Sequence, residues 1–140
     1  MKVKCKINRL MEIDSSNFKK WLDRFIHLDE DIDLGLEIGR EYVVCGIIFY
    51  ENYPFYYLFE GSGDSYPTPF PAGFFDIMDF RMSTYWVLSY KFEDGENSAA
   101  LLFKDWANEP RFYENVLDDG EDAIKKMAEI KSILEAEFEN

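Results

Sequence analysis

Positive charge and histidine are what this 140-residue sequence most lacks: 15 Lys and Arg stand against 28 Asp and Glu, for a net charge of −13, and His27 is the one histidine. A chain so acidic has no basic groove to track a phosphate backbone, which argues against a nucleic-acid reader and against adhesion to anionic lipid. A Cys/His nucleophile pair has only His27 to draw on, and a zinc site would be short of ligands. With no second His and no suitably spaced carboxylate dyad beside it, His27 reads as a partly exposed structural residue. Cysteine is scarce too. Cys5 and Cys45 lie far apart, without CxxC spacing and in apolar or strand-like surroundings. That is the usage of a reduced cytosolic protein, in which a free thiol is a small buried hydrophobe.

Long apolar runs are also missing. The longest, residues 42–50, is about half of what a membrane-spanning helix requires. The N-terminal MKVKCKINRLM alternates basic and apolar residues without the apolar centre of a signal peptide. A soluble, cytoplasmic protein with no membrane partner is expected. No Walker loop, G-x-S-x-G elbow or dinucleotide fingerprint occurs; EGSGDS has two glycines but neither the Lys nor the helical pattern that should follow. With no nucleophile, oriented base and oxyanion donors assembled, the expectation is a protein that is not an enzyme and takes no cofactor.

What the chain has in plenty is aromatics, 18% of residues, and carboxylates. The aromatics exclude a disordered acidic tail, because such tails lack the apolar surface to fold. A length of 140 residues suits one domain that buries roughly two-thirds of its unfolded surface. KVKCKI (2–7) alternates with period two, as a half-buried strand does. NFKKWLDRFIHL then places Phe18, Trp21, Leu22, Phe25 and Ile26 at helical spacing behind a Ser15 or Ser16 cap. Residues 42–50 read as one buried strand and 55–60 as its antiparallel partner. GSGDSYPTPFPAG reads as a long loop whose prolines extend the residues before them. Strands from 74 and over 83–92 follow, then an EDGEN hairpin turn and a returning strand, SAALLFKDW. A short helix opens on Pro110, and Gly120 suits its C′ position. A final helix over 121 to about 138 sets Ala123, Met127, Ile130 and Leu134 on one side. The fold class expected is α+β: a mostly antiparallel sheet of five or six strands, or a small open SH3-like barrel, with an N-terminal helix and C-terminal helices.

The acids are grouped. DEDIDLGLEIGRE has carboxylates at alternate positions, but counting from Asp29 an EF-hand needs Gly sixth and Glu twelfth, where this chain has Leu34 and Arg40. No metal is expected there. Asp29, Glu30, Asp31 and Asp33 form one group, Asp118, Asp119, Glu121 and Asp122 another, and Glu93, Asp94 and Glu96 a third at a hairpin tip. Crowding like charges costs stability that scattered acids would not, so at least one group is expected to face a basic partner.

LEIGREYVVCGIIFYENYPFYYLFEG, YPTPFPAGFFDIMDFRMSTYW and PRFYENVLDDGEDA carry a resemblance over roughly residues 36–122. A Gly turn entering YVVCGI, a Tyr-rich second strand, a Pro-rich segment running into FDIMD and W, and a closing FYENVLDD resemble bacterial immunity proteins of polymorphic toxin and contact-dependent growth inhibition systems. The resemblance implies a cytosolic protein that binds and neutralises one cognate toxin C-terminal domain. It also implies a shared scaffold with variable binding surfaces, so no functional residue is carried over. Asp79, Ser83 and Trp86 match the pattern and look fold-determining; the acidic 29–33 stretch and the N-terminal helix depart from it. The expected partner is a basic nuclease domain bound by a monomer or weak dimer. Its contacts would be Asp29, Asp31 and Asp33 or the Asp118, Asp119, Glu121, Asp122 group, with Tyr66 or Phe70 as aromatic anchor. Two other readings stand beside it: an acidic DNA mimic that inhibits DNA-binding proteins, and a small ligand-binding domain or enzyme with a pocket behind the Pro-rich loop.

Overall fold

Period-two alternation in KVKC sends Val3 and Cys5 to one side, and both are buried. This strand, β1 (Lys2–Cys5), is the centre of a three-stranded sheet, flanked antiparallel by β2 (Glu41–Val43) and β6 (Phe75–Asp79), so that Val3 faces Tyr42 on one side and Ile77 on the other. A second sheet of five antiparallel strands runs in the order β5-β4-β3-β8-β7. Its members are β3 (Gly46–Tyr50), β4 (Tyr53–Leu58), β5 (Thr68–Pro71), β7 (Trp86–Glu93) and β8 (Glu96–Phe103). Three helices follow: α1 (Lys104–Asn108), α2 (Phe112–Leu117) and α3 (Glu121–Glu137). The structure is a computed structural model and describes residues 1–9, 12–13, 19–20, 34–51, 53–61, 63–93 and 96–139. Nearly all of the expected N-terminal helix, with His27 and Asp29, Asp31 and Asp33, lies outside the described residues.

The five-stranded sheet is the middle of three layers. Along β4, Tyr56 and Leu58 join Val3, Val44 and Phe74 in the core between the sheets, and Tyr57, pointing the other way, joins the core under the helices. In α3 the expected stripe holds: Met127, Ile130 and Leu134 are fully buried in that second core. Leu102, Trp106, Phe112 and Val116 complete it.

The fold class is α+β as expected, but the sheet is neither a single one of five or six strands nor a barrel: two open sheets of three and five strands take its place. The difference originates at Val44 and Cys45, where the apolar run expected as one strand changes sheets. Val44 N–H donates to Met1 C=O at 3.0 Å and Cys45 N–H to Tyr57 C=O at 2.9 Å. Their side chains likewise enter different cores. At Gly46 an added Cβ would lie 2.6 Å from Leu102 Cδ2, so bare backbone lets β8 pack closely just after the corner. Burial pushes the Cys45 thiol up to about 12 and also raises Cys5, whose S–H donates to Ile7 C=O at 3.2 Å. Both behave as the small apolar residues expected.

The turn between α2 and α3 also departs from expectation. Asp119, not Gly120, takes the left-handed C′ position, with φ 60°. Asp119 N–H donates to Val116 C=O at 3.2 Å and Gly120 N–H to Asn115 C=O at 2.9 Å, the paired bonds of a Schellman stop. Gly120 is extended and begins α3; a Cβ there would meet Asn115 C=O at 3.0 Å. Asp119→Gly should therefore stabilise the protein by about 0.5–1 kcal/mol through relief of the left-handed strain, and Gly120→Ala should destabilise it. Urea midpoints of the two variants check both signs.

Candidate functional site

β6 and β7 are outer strands of different sheets, and the short connection 80–85 joins them, so both sheets end on the same side of the molecule. The connection is anchored at both ends. Arg81 grips Asp79 in a fork, Nε to Oδ1 at 3.0 Å and Nη2 to Oδ2 at 2.6 Å, with its own backbone N–H also donating to Oδ1. The Arg81 side-chain hydrogen bonds, then the backbone one, hold the Asp79 carboxyl well below the usual carboxylate range. Ser83 is a buried polar residue; its hydroxyl and that of Thr84 both donate to Glu137 Oε2 at the end of α3, at 3.2 and 3.1 Å. Tyr85 N–H donates to Ser83 Oγ, closing the turn into β7. Asp79 and Ser83 thus anchor the two ends of the connection. Trp86 packs half-buried against both cores, its Nε1 buried without a hydrogen-bond partner.

This well-anchored side carries large apolar groups facing water. Met78, Phe80, Met82, Tyr85, Leu88 and Tyr90 are all exposed, Phe80 to 75%, Leu88 to 65% and Tyr90 to 62%. Cross-strand register explains the last two. Leu88 sits opposite Leu101 and Tyr90 opposite Ala99, on the face that β3 to β5 present to the small sheet. The three-stranded sheet covers that face near Tyr56 and Leu58 and leaves its β7 end open. Single apolar residues are ordinary on protein surfaces, whereas Phe80, Met82, Tyr85, Leu88 and Tyr90, all exposed within eleven consecutive residues, form a band in the sequence that marks a candidate interaction site.

The two borders of the large sheet are treated differently. β5 carries Pro69 and Pro71, which cannot donate to a further strand and so close that border to pairing. β7 reads WVLSYKFE, without proline, and on its outer side no further described strand pairs with it. Such a border accepts an added strand.

On the opposite face of β7 and β8 lies a cavity of about 300 Å³. Its floor is made by small side chains in register, Ser89 opposite Ala100 with Ser98 nearby, which leave room under the α1–α2 connection. Its walls are aromatic: Tyr50 and Tyr57 from the sheet, Trp106 from α1 and Tyr113 from α2. Trp106 and Tyr113 stack with centroids 5.6 Å apart and planes 11° apart, and Tyr57 meets both edge-on at 4.8 and 5.4 Å. Burial, then the neighbouring Tyr50 and Tyr113 hydroxyls, raises Tyr57 well above the usual phenol range. Tyr113, whose hydroxyl donates to Pro67 C=O at 2.7 Å, is pushed up to about 12 by burial and by Tyr66 and Tyr50. The phenols are therefore neutral, and negative charge enters through Glu109 and Glu114 at the exposed rim.

Of the residues expected to meet a partner, Asp118, Asp119, Glu121 and Asp122 are exposed and make no ion pair with any described residue. Glu121 and Asp122 have a local reason to be acidic, since they complement the dipole at the start of α3. Asp118 and Asp119 have none; they close α2, four and five residues beyond Glu114. Tyr66 is exposed, but Phe70 is 4% exposed, its ring consumed by the core between the sheets, and so it is no surface anchor. The apolar band and the cavity were not anticipated. The signal for the band lay in β7, where one alternating set, Trp86, Leu88, Tyr90 and Phe92, is wholly apolar.

Comparison of the chain with protein-family models, with curated proteins and with solved structures finds no match. Among the described residues no helix is long and apolar enough to cross a membrane.

Proposed function

We propose that the chain is an immunity-type inhibitor: it binds one partner protein, a basic toxin domain, and neutralises it by covering a surface the toxin needs. The observation that carries this reading is the set of large exposed apolar side chains on β7 and the connection before it, Phe80, Met82, Tyr85, Leu88 and Tyr90. Such side chains fit a protein partner better than a small metabolite, because they stand out in water rather than line a pocket and lie on a border strand without proline. The net charge of −13 supplies the rest. It steers a basic partner inward and rejects acidic ones, while the apolar groups provide the buried anchors from which affinity comes. If the partner cleaves nucleic acid, the carboxylates compete for the cleft that would otherwise hold phosphates.

The test is capture of the product of the adjoining toxin gene, expressed as a catalytically dead fragment, on the immobilised chain, together with rescue of cells expressing the active toxin. One-to-one, salt-weakened capture with rescue is the expected result. Failure of both, with the chain shown to be folded, would overturn the reading. Capture of several unrelated DNA-binding proteins would point to a DNA mimic.

A further inference from the structure

We infer that the cavity between β7–β8 and the α1–α2 connection is a receptor for a single cationic side chain, an arginine presented by the partner protein. This rests on the reading of the chain as a binder of a basic protein and deepens it by naming a contact. Three observations converge. The walls include the rings of Tyr57, Trp106 and Tyr113, side chains whose electron-rich faces attract organic cations. Tyr57 is only 7% exposed yet lines the cavity, and its hydroxyl has no hydrogen-bond partner among the described residues. A phenol oxygen left open to the cavity in this way suits a guanidinium N–H donor. The rim carries Glu109 and Glu114, and the molecule itself shows what they prefer. Arg111 engages both, donating from its backbone N–H to Glu109 Oε1 and from Nε to Glu114 Oε2, each at 3.2 Å.

That internal pair is exposed on both sides and readily exchanged for an incoming guanidinium. Arginine fits better than lysine. Its planar group slides against stacked rings while its fork reaches a carboxylate, whereas an ammonium acts as a compact point charge. Ser89, Ser98 and Ala100 supply the depth, since a larger residue at any of them would fill the floor. The sheet, not a loop, holds that floor.

The experiment titrates the full chain with a capped Gly-Arg-Gly peptide, and in parallel with the citrulline and norleucine versions and with tetramethylammonium, following the Trp106 indole and the Tyr57 and Tyr113 ring signals by NMR. Binding of the arginine peptide at least tenfold tighter than citrulline is expected, weakened by Glu109→Gln with Glu114→Gln and tightened by Arg111→Ala. All three are exposed, so these variants keep the fold. Equal binding of norleucine would make the cavity an apolar pocket and overturn the inference, as would no binding of any probe. Tetramethylammonium bound without the arginine peptide would assign the cavity to a small metabolite cation and also overturn it. Because the probe is a peptide, the outcome is separable from capture of the toxin fragment. A chain that captures its partner but ignores arginine loses only this inference, and one that binds arginine but captures nothing loses only the proposed function.

Discussion

Phe80→Asp combined with Leu88→Asp is expected to weaken capture of the toxin fragment at least a hundredfold while leaving the fold intact. Both side chains stand in water, 75% and 65% exposed, so the free protein loses little by the change and its stability should hold within about 0.5 kcal/mol. In the complex the balance reverses. Each apolar anchor buried at the centre of an interface contributes on the order of 2 kcal/mol, and each new carboxylate must be desolvated against an apolar partner surface. A hundredfold in affinity corresponds to about 2.7 kcal/mol, less than two such anchors supply. Calorimetric titration against the fragment reads the effect directly. Unchanged affinity with an unchanged melting curve would place the interface elsewhere. The contrast is Asp118→Lys with Asp119→Lys, positions at the molecular periphery: there the association rate and its salt dependence should change more than the dissociation rate.

The largest loss of stability is expected from Phe74→Ala. Phe74 is fully buried in a 3-10 turn (Ala72–Phe74), where the chain leaves β5 of the large sheet for β6 of the small one. Its carbonyl accepts from Lys6 N–H at 2.9 Å and Ile7 N–H at 3.4 Å, and alanine keeps both bonds. The deficit is therefore one of packing alone: a phenyl ring removed from between two sheets, leaving a hole that neither sheet can close without sliding on the other. Substitutions of this kind cost about 3–5 kcal/mol, a large part of the 5–15 kcal/mol by which domains are stable. A fall in the thermal midpoint on the order of 10 °C should accompany it. A loss under about 1 kcal/mol in urea titration would mean that the sheets are not joined through this ring.

What was legible in the sequence, and what was not, follows the range of the forces involved. α3 was plain because its stripe needs only local spacing: four, three and four residues from Ala123 to Leu134. β1, the β7–β8 hairpin and the class α+β were readable for the same reason. The corner at Val44 and Cys45 was not, because a residue that points into one core and a neighbour that points into another look alike in a continuous apolar run. β5 was hidden by its prolines, which mark a loop in isolation and a border strand once β4 lies alongside. α1 was hidden in KDW, whose tryptophan continues the strand pattern of β8 but turns under the sheet to meet Tyr57. The cavity is the least local of all. Tyr57, Trp106 and Tyr113 come from three elements, and only the small residues facing them, Ser89, Ser98 and Ala100, hinted that space had been left.

The central place of β1 in the small sheet bears on the order in which the protein assembles. Val3 pairs with Tyr42 and Ile77, so the small sheet waits on two long chain closures, whereas β3 and β4, and β7 and β8, are close neighbours in the chain. Closing long loops adds little to the equilibrium cost but slows the search for native pairings. The two hairpins of the large sheet should therefore gain amide protection first in pulse-labelled exchange, with Val3 and Ile77 last. During that interval the face of β4 bearing Tyr56 and Leu58 stands uncovered, as Leu88 and Tyr90 do on β7 with two strands between, and the nascent protein passes through a state greasier than its product. The mutual repulsion of like-charged copies is what keeps such states from sticking to one another before the last strand docks.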